Sequence, residues 1–186
     1  HMDDPYPSYL LIAQVFSFSF SYFFVNGLVL LLLLVGSALV SGSEAAFFSL
    51  TKDDLTDLNQ KHPKKGRVIS SLLATPKILL STLLILNNVF NIGLITLTTY
   101  LTWGILGTNA IGIAFILIQT VGVTFVIVFF GEIVPKAYAN QVKTGFALGL
   151  ALPISFFTKA LKPFSAFLIG FSSIIEKRVQ QKGYSL

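Results

Sequence analysis

The sequence is 186 residues long, 54% apolar and only 11% charged, with a mean hydropathy of +0.78. A soluble domain carries about 25% charged residues, so the composition excludes an ordinary water-soluble globule and reads as an all-α membrane protein. The net charge is +5 and there is no cysteine, which excludes disulfides, thiolate metal sites and a cysteine nucleophile.

Where the charge sits is more informative than its sum. All thirteen Lys and Arg follow residue 50, in two blocks. Lys52, Lys61, Lys64, Lys65, Arg67 and Lys77 surround the segment between the first two apolar runs. Lys136, Lys143, Lys159, Lys162, Lys177, Arg178 and Lys182 follow the third. The positive-inside rule makes both blocks cytoplasmic and the N-terminus external. Because these charges flank apolar runs, the expected partner of the basic surface is the lipid bilayer and not nucleic acid.

In chain order, residues 1–19 read as an extracytoplasmic segment, with Pro5 and Pro7 ahead of alternating Phe and Ser. The first transmembrane helix is expected from Phe20 to Phe48, running outside to inside and longer than the ~20 residues a crossing needs. It closes on Val40-Ser41-Gly42-Ser43-Glu44-Ala45-Ala46. A charge at the bilayer centre costs roughly 3 kcal/mol on insertion scales, so hydroxyls, a glycine and a carboxylate together at the end of a span point to a task. Ser41 and Ser43 lie about 200° apart around a helix, so one of them faces a site through its side chain unless the helix unwinds there. Glu44 is open between a ligand and an interface charge.

The chain then changes character. Thr51 is an expected N-cap with Asp53 and Asp54 in the first turn, and Leu50, Leu55 and Leu58 share a face. His62-Pro63 ends this helix, and a second short one over Lys64–Ala74 stops before Thr75-Pro76. The two are read as a cytoplasmic short-helix pair lying against the membrane. A second span, Ile78–Leu101, runs inside to outside with Tyr100 and Trp103 as outer anchors. It carries Asn87, Asn88 and Asn91. Asn87 and Asn91 are i, i+4 and share a face; three amides within five residues need partners, whether a cation or neighbouring helices. A third span, Ala110–Val134, ends at Pro135 on Gly131-Glu132-Ile133-Val134-Pro135-Lys136. Glu132 is either an anionic ligand in a loosened helix or a head-group carboxylate paired with Lys136 at i+4.

Residues 136–175 are apolar but broken by Pro153 and Pro163 and interrupted by Lys143, Lys159 and Lys162. A fourth span would put lysines near mid-membrane. The favoured reading is a kinked amphipathic juxtamembrane belt in the inner interface, its lysines snorkelling to the head groups. Residues 176–186 are polar and read as a linker.

The expectation is that the three polar clusters meet between helices and hold a cation. Ser, Asn and Glu oxygens with backbone carbonyls are a hard donor set, suited to Mg2+, Ca2+, Mn2+ or Na+ and unsuited to zinc or copper. Neither His1 nor His62 falls in a span. No Ser/His/Asp set, cysteine or phosphate loop supports an enzyme.

In their order, Ser41-Gly42-Ser43-Glu44-Ala45, Asn87-Asn88-Val89-Phe90-Asn91 and Gly131-Glu132-Ile133-Val134-Pro135-Lys136 resemble the transmembrane domain of the CorC/CNNM (cyclin-M-like) magnesium transporters. The resemblance covers about residues 20–175. It implies three transmembrane helices, the short-helix pair, the belt, a homodimer in the bacterial inner (plasma) membrane, and Mg2+ export coupled to Na+. It also implies a Mg2+ held by Ser41, Ser43, Asn87, Asn91 and Glu132, with Asn88 the less secure member. Family members continue into paired nucleotide-binding CBS modules, so 176–186 reads as a linker toward such modules and no nucleotide site is expected before it. The aromatic N-terminal stretch also resembles a gliding-motility-associated bacterial branch. There a non-transporting membrane scaffold for a motility or secretion assembly is the rival reading.

Overall fold

The computed structural model describes residues 8–106, 112–167 and 169–170. All of its elements are helical: α1 (Ser8–Ser49), α2 (Lys52–Lys61), α3 (Pro63–Leu73), α4 (Pro76–Leu106), α5 (Ile113–Val126), a π-helical segment (Ile127–Ile133), α6 (Val134–Gln141) and α7 (Lys143–Ala160). The expected loop around Asn109 and the polar stretch 176–186 lie outside the described residues.

Three stretches are long and apolar enough to cross a membrane, Ser21–Ser49, Pro76–Gly104 and Ile113–Gln141, each of 29 residues. At 1.5 Å per residue each is about 44 Å long, more than the ~30 Å hydrocarbon core. Their outward residues are apolar and exposed, among them Leu32, Val89, Ile92, Ile118 and Val121. In a chain of this composition that surface is the lipid-facing one, where helices must satisfy their own backbone.

Several boundaries differ from those expected. The first helix is already formed at Ser8 and runs without a break into the span, so residues 8–19 do not make an element of their own. Nothing in 8–49 breaks a helix: the two prolines come earlier. α4 begins at Pro76 and continues to Leu106, because proline at the first helical position lacks only an N–H that would be orphaned there. The third span does not stop at Pro135. Its helix widens into the π-helical segment, where the Val134 N–H reaches back to the Phe129 carbonyl, and then continues as α6 to Gln141. In an unbroken α-helix the Pro135 ring would press on the carbonyl of Gly131; the wider π turn directly ahead of it accommodates the ring.

The C-terminal end of α1 and the N-terminal end of α4 are enclosed by the short-helix pair and α7. Thr51 caps α2 in a full capping box: its hydroxyl accepts from the Asp54 N–H at 3.2 Å, and the Thr51 N–H donates to the Asp54 carboxylate at 2.8 Å. α2 and α3 pack through Leu58, Ile69 and Leu72, which are buried together with Phe47 of α1 and Leu79 and Leu83 of α4. α7 supplies Ala147, Ala151 and Ile154 to the same core. Those positions recur at four and three residues, one face of a helix, and small alanines let α7 lie close. Its opposite face carries exposed Leu152 and Phe156, the amphipathic division expected of a belt. α7 continues through Pro153; the break falls at Leu161, two residues before Pro163, which has no N–H to bond the Lys159 carbonyl in a continuing helix. Helical residues 162–167 are then tied back to α4 by a buried hydrogen bond of 3.1 Å between the Ser165 and Thr82 hydroxyls.

Candidate cation site

The polar residues converge where α1, α4 and the π-helical segment meet. α4 brings Asn87 and Asn91 to one face, one turn apart. Each donates its amide N–H to the same atom, Glu132 Oε1, at 3.0 Å from Asn87 Nδ2 and 3.1 Å from Asn91 Nδ2. On the other side, both amide oxygens lie against one hydroxyl: Ser37 Oγ is 3.0 Å from Asn87 Oδ1 and 2.8 Å from Asn91 Oδ1. A serine hydroxyl has one hydrogen, so Ser37 satisfies one amide oxygen fully at a time and holds the other in a shared contact. Ser41, one turn after Ser37, directs its hydroxyl at the Glu132 backbone carbonyl at 3.5 Å, the outer limit of a hydrogen bond. Ser37 and Ser41 are both buried.

Glycines make this convergence possible. A Cβ on Gly131 would stand 3.1 Å from Ser37 Oγ, and one on Gly36 would collide with the Phe90 ring. The first lets the π-helical segment approach α1. The second lets α1 approach α4.

Of the residues singled out in the sequence, Asn87, Asn91, Glu132 and Ser41 come together. Ser43 does not join them. It is buried, but its hydroxyl donates to the Leu39 carbonyl of its own helix at 2.7 Å, and it lines a small cavity of about 120 Å³ toward α7 with Val40, Leu86 and Ile154. The roughly 200° between positions 41 and 43 on an unbroken helix places them on opposite sides. Asn88 is exposed and donates to the Leu84 carbonyl at 2.9 Å. Glu44 pairs with Lys136 at 3.0 Å, so Lys136 serves Glu44 and not Glu132.

Ser37 is the member the sequence reading missed. It sits four residues before Ser41 and directly after Gly36, and that one-turn serine spacing beside a glycine is the signal that could have found it.

Chemically the cluster offers one carboxylate, two carboxamides, two hydroxyls and a backbone carbonyl in a loosened helix. Among the described residues no three His, Cys, Asp or Glu side chains converge, so nothing here provides the soft donors of a zinc or copper centre. The O and N ends of a carboxamide are nearly the same size, and turning either amide over would bring its oxygen to the Glu132 side.

Three helices long and apolar enough to span, packed around a polar cluster, define a multi-pass membrane domain. The family model described as the cyclin M transmembrane N-terminal domain matches residues 28–185, and the chain belongs to this CNNM family. It is 31% identical over 133 residues to the UPF0053 protein sll1254 of Synechocystis, a match covering 71% of this chain and 37% of that one. It is 38% identical over 112 residues to a UPF0053 protein of Haemophilus influenzae, covering 60% and 26%. With the UPF0053 inner membrane protein YfjD of Escherichia coli it shares 34% over 103 residues, covering 55% and 23%. The chain thus spans well under half the length of these relatives.

Proposed function

We propose that the chain is the membrane domain of a divalent-cation transporter, with Mg2+ as its cargo and export coupled to Na+ as its direction. The observation that carries the reading is the convergence of Asn87 and Asn91 on a single oxygen of Glu132, the only carboxylate of the cluster. A hard cation drawn to that carboxylate would be met by both amide oxygens once the amides turn over. Their N–H groups would then donate to Ser37 Oγ, a hydroxyl that accepts as readily as it donates. Ser41 and the Glu132 carbonyl complete an all-oxygen set. One carboxylate with neutral oxygens leaves room for the several waters Mg2+ usually keeps. Ser43 and Asn88 belong to this set only if the helices rearrange, since each is bonded to its own helix.

The proposed setting is the bacterial inner membrane, with the short-helix pair and the belt in the cytoplasm. The relative described as an inner membrane protein and the placement of the thirteen basic residues support it. A homodimer fits the exposed face of α4, where Asn88 presents an amide among lipid-facing Val89 and Ile92; a polar side chain there gains most from a second helix. Gly93 faces α1, where a Cβ on it would stand 3.4 Å from the Leu33 side chain.

The test is thermal unfolding in detergent with Mg2+ titrated against Ca2+ and Na+. A ligand at a hundred times its Kd stabilises by about 2.7 kcal/mol. Mg2+ should raise the midpoint and Glu132→Gln should remove that rise. If no cation stabilises the parent protein, the transporter reading fails and a membrane scaffold takes its place.

A further inference from the structure

The half of the bundle away from the short-helix pair holds a cavity of about 580 Å³ between α1, α4 and α5. It runs along the helices, from Gly27 to Leu34 on α1 and from Gln119 of α5 to Ile127 of the π-helical segment, a length of about 10–12 Å at 1.5 Å per residue. Leu31 and Val126 line it and are also 56% and 42% exposed on the apolar surface that faces lipid, so it opens sideways between the helices. Its polar side chains are engaged: the Thr98 hydroxyl donates to the Leu94 carbonyl at 2.7 Å, and the Gln119 amide donates to the Thr102 hydroxyl at 2.7 Å. Water there would find few of the two to four polar partners that a buried water needs. Glycines stand on two of the walls. A Cβ on Gly27 or on Gly122 would meet nothing within 4 Å, unlike Gly36 and Gly131, which let helices touch. Glycine within a helix is destabilising relative to alanine, and these two serve no helix contact among the described residues. What their missing side chains do is widen the cavity.

We propose that this cavity is the seat of one acyl chain of a membrane phospholipid, lying along the helices between α1, α4 and α5. The lining is apolar, the opening faces lipid, and the long axis follows the spans, as the chains of a bilayer do. Lipid tails are as apolar as the leucines of the walls, so retention comes from packing. A chain walled by three helices makes more of the small dispersion contacts than one lying on a single helix face. Its tip rests against Leu34 and Ile127. Leu34 is 3.7 Å from where a Cβ on Gly131 would stand, so the seated chain abuts the back of the polar cluster. The seat does not depend on the cation reading, because it uses none of the ligands proposed there.

The experiment is native mass spectrometry of the protein released from a mild maltoside micelle, with melts of the delipidated protein as dioleoyl phosphatidylethanolamine is added. The parent should carry phospholipid, and its delipidated form should be stabilised by the added lipid. Gly122→Leu and Gly27→Leu fill the cavity from two walls. Gly149→Leu puts the same side chain on α7, where a Cβ also meets nothing within 4 Å. All three should keep the parent's helix content, since leucine favours a helix over glycine. The two filling variants should lower retained phospholipid by about fivefold or more through lost packing contacts, and should blunt the stabilisation by added lipid. Gly149→Leu should match the parent in both. A parent that carries no phospholipid overturns the proposal, as does a filling variant that retains it like the parent, or Gly149→Leu losing as much as the filling variants. It also falls if maltoside alone stabilises the delipidated parent as fully as the phospholipid does. If the filling variants shed a second copy of the chain in place of lipid, the occupant is a partner helix and the proposal is wrong.

Discussion

Ser37 and Ser43 show how little residue type alone says about role. Both are buried serines on one helix, six residues apart. Ser37 binds two amides across the helix boundary and Ser43 binds a carbonyl of its own turn. Their removal should therefore differ. Ser37→Ala leaves two amide oxygens facing a methyl group, and a buried acceptor left without its donor costs about 1–3 kcal/mol. Mg2+-dependent stabilisation should fall with it, since the turned-over amides lose their acceptor. Ser43→Ala removes a hydroxyl that only its own helix uses, so Mg2+ half-saturation should stay within about twofold of the parent. Calorimetric or fluorescence melts of the two proteins across an Mg2+ series separate them.

At the scale of the element, the π-helical segment is what lets a proline-bearing span continue and still present Glu132 toward α4. Gly131→Ala places a methyl 3.1 Å from Ser37 Oγ, pushing α1 and this segment apart by a few tenths of an ångström. Apparent Mg2+ affinity should fall by about tenfold, or ~1.4 kcal/mol, with helix content by circular dichroism unchanged. An affinity equal to the parent's would show that the close approach is not needed.

The capping box of α2 gives a second element-scale expectation. The Lys143 ammonium beside Asp54, with the Thr51 N–H and hydroxyl, lowers the Asp54 pKa from 3.8 to about 2. A carboxylate whose folded pKa is depressed contributes stability in full above its unfolded pKa and loses it as pH falls through the folded value. The junction of α1, α2 and α7 should therefore weaken between about pH 4 and pH 2, seen as faster amide exchange in α2. In Asp54→Asn that pH dependence should be absent, because no proton is then taken up there.

For the whole molecule, the question is which side of the membrane holds the enclosed end. α2, α3 and α7 bury the C-terminal end of α1 and the N-terminal end of α4, and the basic residues Lys64, Arg67 and Lys159 are exposed on that assembly. The chain has no cysteine, so a single Lys64→Cys gives an unambiguous label. It should react with a membrane-impermeant thiol reagent only after cells are permeabilised; labelling in intact cells would reverse the topology. Mass measurement in detergent at rising protein concentration should give twice the chain mass for the proposed homodimer, and Asn88→Leu should shift it toward monomer.

The sequence by itself determined the class of the protein and the number of its spans, because an apolar run of that length has no stable place in water. It determined the helix pair and its cap as well: Thr51 with Asp54 is a local signal read within one turn. It also brought Asn87 and Asn91 to one face, since helical spacing is fixed. Only the tertiary structure decided which polar residues meet. Facing across helices depends on how α1 rotates against α4, and that rotation is set by glycine contacts such as Gly36 against Phe90 and Gly131 against Ser37. The same rotation turned Ser43 and Asn88 away and brought Ser37 in. Lys136 could have paired with Glu132 on its own helix. It pairs instead with Glu44 on α1, a choice that spacing along one helix cannot express because the partner comes from another.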